Sequence, residues 1–211
     1  MANNFSINNL TYRYPGNKYL EFSDFSCENG QRMLISGSSG SGKTTLLHLL
    51  AGILQPHTGM IMAGETRLDL LSSSGRDLFR GKHIGMIFQK HLFLSGMSIY
   101  QNLVVAQKIS GKKIPKKLHY LDEILVKLEI DALRNKKPEQ LSEGEQQRFS
   151  IARALANQPD WVLADEPTSS LDDNNCEKFI AAIDKVGKDI GWIIATHDRR
   201  LKQYFAKIYS L

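Results

Sequence analysis

The chain is poor in cysteine and proline, with two and six in 211 residues. Cys27 and Cys176 stand far apart with no metal-ligand spacing, which excludes a disulfide scaffold and a cysteine zinc site; buried thiols of a reducing compartment are expected instead. No apolar run approaches the roughly 18 residues that a membrane-spanning helix needs. The opening residues, Met1 to Ser6, lack the basic and apolar regions of a secretory leader, so an intracellular chain is expected. Aromatic residues, at 9%, do not interleave with basic ones as a stacking platform would require, and no nucleic-acid partner is expected.

What remains is ordinary globular composition, 42% hydrophobic and 23% charged, with length enough for one domain and a sizeable core. The net charge of +5 gathers in part at Lys112-Lys113, Lys116-Lys117 and Lys136-Lys137. These lysines read first as a solvated face and second as a contact for anionic lipid headgroups.

The stretch that organises the rest is Gly37-Ser38-Ser39-Gly40-Ser41-Gly42-Lys43-Thr44, a match to G-x-x-x-x-G-K-[ST]. Arg32 to Ser36 before it reads as a short buried strand, and Lys43 to Leu50 after it as a helix closed by Gly52. A strand, a glycine loop and a helix N-terminus bring unpaired backbone N–H groups and the helix dipole to one point, which is an anion site. Lys43 is expected to reach the β- and γ-phosphates of a nucleoside triphosphate and the Thr44 hydroxyl to ligate Mg²⁺. Thr45, next in line, belongs to the same nucleotide-binding set.

In chain order, Phe5 to Tyr12 is expected as a strand, Tyr14 to Asn17 as a turn, and Tyr19 to Cys27 as one further alternating run before the Asn29-Gly30 turn. This opening third reads as an antiparallel layer beside an α/β core. Tyr12 and Tyr14 lie at the edge where an adenine could stack. Met60 to Leu68 reads as a hairpin around Ala63-Gly64, and Ser72 to Gly75 as a polar break before a short helix near Arg76 to Arg80. Ile84 to Phe88 is a second buried strand delivering Gln89 at its C-terminal end, where open α/β sheets bind ligands; Gln89 is a candidate for reaching Mg²⁺ or the attacking water. Ser98-Ile99-Tyr100-Gln101 fits a capping box that opens a helix to about Ile109. A second amphipathic helix spans Pro115 to Leu128. The absence of any strand between them makes residues 90–156 a helical insertion into a single nucleotide-binding domain, 1–211.

Two carboxylates close the next strand, Trp161 to Glu166. Asp165 there is suited to hold Mg²⁺ through water, and Glu166 to act as general base or water-orienting group. Ser142 with Glu145 forms a second capping box, opening a helix through Ala156. Ser170-Leu171-Asp172 leads into a helix from Asp173 to Val186, and the strand Trp192 to Thr196 presents His197, which on its own reads as structural.

Taken together, the motifs resemble the ATP-binding subunit of ABC transporters across essentially the whole chain. Gly37–Thr44 matches the Walker A loop, Gln89 the Q-loop, Leu141–Glu145 the signature, Trp161–Glu166 Walker B, Ser170–Asp172 the D-loop and Thr196–Asp198 the H-loop. The look is closest to the bacterial branch of lipoprotein-releasing, macrolide-exporting and FtsE-type ATPases. The resemblance implies a P-loop α/β fold with an antiparallel layer and a helical subdomain, and a head-to-tail homodimer with ATP sandwiched between subunits. Each ATP would touch the phosphate loop of one subunit and Ser142 to Gly144 of the other. It further implies that Tyr14 stacks on adenine, His197 senses the γ-phosphate and Asp172 lies at the dimer interface. A separate integral membrane permease would be the partner, with this chain peripheral on the cytoplasmic face and without a C-terminal regulatory domain. An FtsE-type regulator is the alternative within the branch. A soluble DNA-repair or translation ATPase would call for coiled coils, zinc cysteines or tandem units. A guanine reader fails because Asn135-Lys136-Lys137-Pro138 lacks the aspartate. Glu143 and Glu145 depart from the family's signature, replacing a glycine and a glutamine, and the expected consequence falls on turnover.

Overall fold

The computed structural model describes residues 4–16, 18–111, 119–187 and 189–211. Two five-stranded sheets form the frame. The parallel one runs in the order β10 (Lys207–Ser210), β4 (Arg32–Ser36), β9 (Gly191–Thr196), β8 (Trp161–Asp165) and β7 (Ile84–Ile87). Its central strands are apolar on both faces, as a sheet covered on both sides must be. Met33, Ile35, Leu163, Ile193 and Ala195 face one core; Leu34, Val162, Ala164, Trp192 and Ile194 face the other.

The first core lies under the antiparallel sheet, where β1 (Asn4–Arg13) pairs with β2 (Tyr19–Phe22), β3 (Phe25–Glu28) and β5 (Thr58–Ala63), and β5 with β6 (Thr66–Arg67). Phe5 meets Trp161 edge-on at 5.0 Å, joining the two sheets. Helix α1 (Lys43–Leu50) is buried in this core along Leu46, Leu47, Leu49 and Leu50. The second core packs α3 (Ile99–Ile109), α4 (His119–Lys127), α5 (Glu143–Leu155) and α6 (Asp173–Val186) on the opposite face. A fully buried leucine or isoleucine there contributes about 1.5–3 kcal/mol.

Two expectations are corrected. The run from Tyr19 to Cys27 is two strands, broken at Ser23-Asp24, because the Asp24 carboxylate turns back to accept from the backbone N–H of Asn9 at 2.7 Å, where β1 bulges. The helix after the polar break, α2 (Ser73–His83), starts earlier and ends later than expected: Ser72 caps it, accepting from the Gly75 N–H. The expected helix start at Pro115 and the lysines at 112, 113, 116 and 117 lie outside the described residues. Between β7 and β8 no strand occurs among the described residues.

Candidate functional site

The C-terminal ends of β4, β7, β8 and β9 converge on one cleft of about 280 Å³. Tyr14, Lys18, Leu20, Ser39, Gly40, Gly42, Lys43, Thr44, Thr45, Gln89, Glu166 and His197 line it. The phosphate loop forms its floor. Gly42, with φ +105°, ends the loop as the N-cap of α1 without a side-chain cap, so the first-turn N–H groups stay available to an anion. A Cβ on Gly37 would stand 2.6 Å from Ser41 Oγ and 2.9 Å from the Leu211 carbonyl oxygen, so the loop closes only over glycine there.

Lys43 is buried and folded back on the loop. Its ammonium donates to the carbonyls of Gly37 at 2.9 Å and Ser38 at 3.0 Å and sits 3.4 Å from Glu166 Oε1. Thr44 Oγ1 donates to Asp165 Oδ2 at 2.8 Å. The other oxygen of Asp165 and the Ser41 hydroxyl are buried with no hydrogen-bond partner among the described residues. Burial pushes the Asp165 carboxyl above its ordinary value; the Thr44 bond opposes this and the neighbouring Glu166 charge adds to it. A buried carboxylate oxygen with nothing to bind, beside a hydroxyl on the same carboxylate, is a donor set suited to a hard cation.

Glu166 adopts φ +47°, a left-handed backbone rare for a glutamate and of the kind stored at functional sites. Its carboxylate accepts from Thr196 Oγ1 at 2.7 Å and from the His197 backbone N–H at 3.2 Å, and lies 2.9 Å from His197 Nδ1. Burial pushes its pKa up, but the bonds from His197 and Thr196 outweigh it, and the net position is below the usual carboxylate range. Tyr14 bonds through its hydroxyl to that of Thr45 and meets Tyr12 edge-on at 4.9 Å. Of the two tyrosines, Tyr14 lines the cleft and Tyr12 does not.

The remaining expected residues gather elsewhere. Ser142 caps α5 in a reciprocal box: Glu145 N–H donates to Ser142 Oγ, while the Ser142 N–H and hydroxyl both donate to Glu145 Oε2, at 2.7 and 2.9 Å. Asp172 caps α6, accepting from Asn175 N–H at 2.7 Å. A Cβ on Gly144, in the first turn of α5, would stand 2.9 Å from Asn175 Oδ1 at the end of a side chain on α6. None of Ser142, Gly144 and Asp172 lines the cleft.

Sequence reasoning missed the cluster that ties these regions together. The Arg200 guanidinium binds Asp198 and Asp173 and donates to the carbonyls of Thr168 and Leu171. The bond from Arg200, opposed by burial and aided by the Thr168 hydroxyl, holds the Asp198 carboxyl at about 2. Its partners lie some 30 residues apart, and the only signal available beforehand was the pairing of unlike charges at Asp198 and Arg200.

A phosphate loop opening a helix, next to two carboxylates at the end of a buried parallel strand, defines a P-loop nucleoside triphosphatase. The family described as ABC transporter matches residues 20–169. This chain belongs to that family, as its ATP-binding, ATP-hydrolysing component. It is 36% identical over 214 residues to the lipoprotein-releasing system ATP-binding protein LolD of Francisella tularensis subsp. holarctica, covering 96% of this chain and 93% of that one. Among solved structures it is similar to the dimeric structure of MJ0796, a bacterial ABC transporter cassette, with TM-score 0.84 and 28% identity over 98% of this chain and 94% of that one. The dimeric post-hydrolysis MJ0796 cassette bound to ADP and Pi matches with TM-score 0.84 and 27% identity over the same shares.

Proposed function

We propose that the chain is the motor subunit of a bacterial transporter, closing as a head-to-tail homodimer on two ATP molecules and driving a separate integral membrane permease from the cytoplasmic face of the membrane. The observation that carries this is the separation within one chain of two phosphate-suited helix ends: α1 opens into the cleft, while Ser142, Gly144 and Asp172 stand outside it. Each is useful to the other only across two copies. The cassette MJ0796 forms such a dimer in its own solved structures.

Thr44, Asp165 and Gln89 would hold Mg²⁺, which when bound would supply positive charge against the phosphate oxygens. Lys43 leaves the Gly37 and Ser38 carbonyls for the phosphates. Glu166 then loses its ammonium neighbour and is free to orient water and take its proton. His197, bonded to the same carboxylate, keeps it aimed and turns toward the γ-phosphate. Tyr14 carries the adenine on its ring face.

The permease reading draws on the loop after β7. Gln89 lines the nucleotide cleft, whereas Phe88, Leu92 and Leu94 of the same loop line a second, apolar groove of about 480 Å³ between α2, α3 and α5. A body seated in that groove touches the loop that touches the nucleotide. Among the described residues no helix is long and apolar enough to cross a membrane, so anchorage falls to that partner.

Glu166→Gln tests the chemistry. It should bind ATP, hydrolyse it roughly 10²–10⁴-fold more slowly, and accumulate as an ATP-bound dimer in size-exclusion chromatography. Near-normal ATPase activity would remove Glu166 from the role.

A further inference from the structure

Glu166 leaves the end of β8 with its backbone N–H donated to the Ala195 carbonyl at 2.8 Å and with φ at +47°. The strand ladder thus fixes its backbone, and the direction of its side chain falls to the groups around the carboxylate. These do not act alike. The Lys43 ammonium stands 3.4 Å from Oε1, and His197 Nδ1 stands 2.9 Å from the same oxygen. The His197 backbone N–H lies 3.2 Å from Oε1 and 3.3 Å from Oε2, so it does not tell the two oxygens apart. The Thr196 hydroxyl does, donating to Oε2 at 2.7 Å.

Thr196 closes β9, in register with Ser36 of β4, and is 1% exposed. Its hydroxyl carries a single proton. The Asp198 N–H donates to that hydroxyl oxygen at 3.0 Å, which leaves the proton for Glu166. Asp198 is held in turn by the Arg200 guanidinium and by the Thr168 hydroxyl, at 2.8 and 2.7 Å. The anchor on Oε2 is therefore buried and fixed from behind. The neighbours of Oε1 are not: the His197 side chain is 58% exposed, and arriving phosphates would draw Lys43 away. A base must meet its water at hydrogen-bond distance and in line, and small misplacements are costly.

We propose that Thr196 is a positioning residue for hydrolysis: its hydroxyl holds Oε2 of Glu166, so that Oε1 is the oxygen turned to the attacking water. The inference rests on the reading of Glu166 given above and names what aims it. It also gives the Arg200 cluster a bearing on catalysis, since the N–H that orients the Thr196 hydroxyl belongs to Asp198.

Steady-state ATP hydrolysis and size-exclusion chromatography of the purified full chain provide the test. Thr196→Val keeps the side-chain shape and loses the hydroxyl. It should lower kcat by about 10- to 100-fold and leave the KM for ATP unchanged, because the contact aims the base and binds no substrate. Like Glu166→Gln, it should then accumulate an ATP-bound dimer. Thr196→Ser should recover kcat to within a few-fold. In the Glu166→Gln background, Thr196→Val should cost nothing further, since the group it aims is already disabled. Should Thr196→Val unfold early in a thermal melt, Thr196→Ala compared with Thr196→Ser replaces it, and the alanine variant alone should be slow. The positioning role is overturned, with Glu166 left in place as base, by a hydroxyl-free variant at parental kcat or by one that raises KM instead. It is equally overturned by a serine variant as slow as the valine one, by an independent loss in the double variant, or by a slow variant that gathers no ATP-bound dimer where Glu166→Gln does. Near-parental turnover by Glu166→Gln overturns both readings.

Discussion

Helix α1 opens on Gly42, capped by backbone alone, with Lys43 the charge of its first turn; α5 opens on Ser142, with Glu143 and Glu145 in its first turn. Both are helix N-termini and both attract anions through the same dipole. The first leaves its N–H groups open and adds a cation. The second satisfies its own donors with its own carboxylate, since Glu145 Oε2 takes the Ser142 N–H and hydroxyl together. The Ser142 backbone, opposed by burial and aided by the Ser142 hydroxyl, holds Glu145 below the usual carboxylate range. One end is therefore built to receive phosphate at once, and the other must give up an internal bond before Ser142 can donate elsewhere. In the proposed sandwich dimer this would make the phosphate-loop side the place where affinity arises and the Ser142 side the place where closure is set.

The sharpest way to break the comparison is to remove the cation that distinguishes α1. Lys43→Met should lower ATP turnover by about 10²–10³-fold, the usual loss when one preorganised group facing transition-state charge is deleted. Steady-state hydrolysis by the purified chain measures it; a loss of less than tenfold would put the phosphate charge elsewhere. Next in size, Tyr14→Ala should weaken ATP binding by about 1–3 kcal/mol, with Tyr14→Phe and Tyr14→Trp tolerated. Calorimetric titration reads this directly, and normal binding by Tyr14→Ala with weak binding by Tyr12→Ala would exchange the two tyrosines.

The signature side leans on the Arg200 cluster, which pins the Thr168–Leu171 turn ahead of Asp172. Asp198→Asn should therefore cost about 1–2 kcal/mol at neutral pH, the upper end following from its pKa shift and the lower from the partial exposure of Arg200. The sign follows from the depressed pKa. Folded, the carboxyl titrates at about 2, below its unfolded value of about 3.9. The stabilisation is thus complete above the unfolded value and is lost as pH falls through the folded one. Urea melts of both proteins across that window should converge at the acid end. A constant difference would assign the effect to packing.

Local chemistry was legible in advance, and non-local chemistry was not. Helices α1, α3 and α6 and the start of α5 carry their boundaries in adjacent residues: a glycine loop, two serine capping boxes and the Asp172 cap. Asp165 and Glu166 were readable because a strand of apolar residues ends on them. The break at Ser23-Asp24 was hidden, since its cause is a bulge in β1 some 15 residues away. Arg200 and Thr168 escaped for the same reason. Each acts through a partner that only the fold brings near.

The smallest expected effect bears most directly on the contrast between the two helix ends. Glu143 is exposed on the first turn of α5, where the dipole favours a carboxylate in the absence of ATP. In the proposed closed dimer the γ-phosphate of the facing subunit would arrive at the same end. Two negative groups ~7 Å apart at an intermediate effective dielectric repel by about 1 kcal/mol, several-fold in the closing equilibrium and far from abolishing it. Glu145 adds to the field, but its charge is bound into the cap; Glu143 has no such bond among the described residues and is exposed to solvent. Glu143→Gly in the Glu166→Gln background should therefore tighten ATP-driven dimerisation several-fold at low salt, with the gain shrinking as ionic strength rises and the Debye length falls below the separation. Glu143→Gln separates charge from backbone. It should recover most of the gain without the entropy that a helical glycine costs, about 0.5–1 kcal/mol. Sedimentation at two salt concentrations measures all three proteins. Dimerisation by Glu143→Gln equal to or weaker than that of the parent would mean that the side chain turns away from the interface, and that the closure of this cassette is set by the Ser142–Glu145 lock alone.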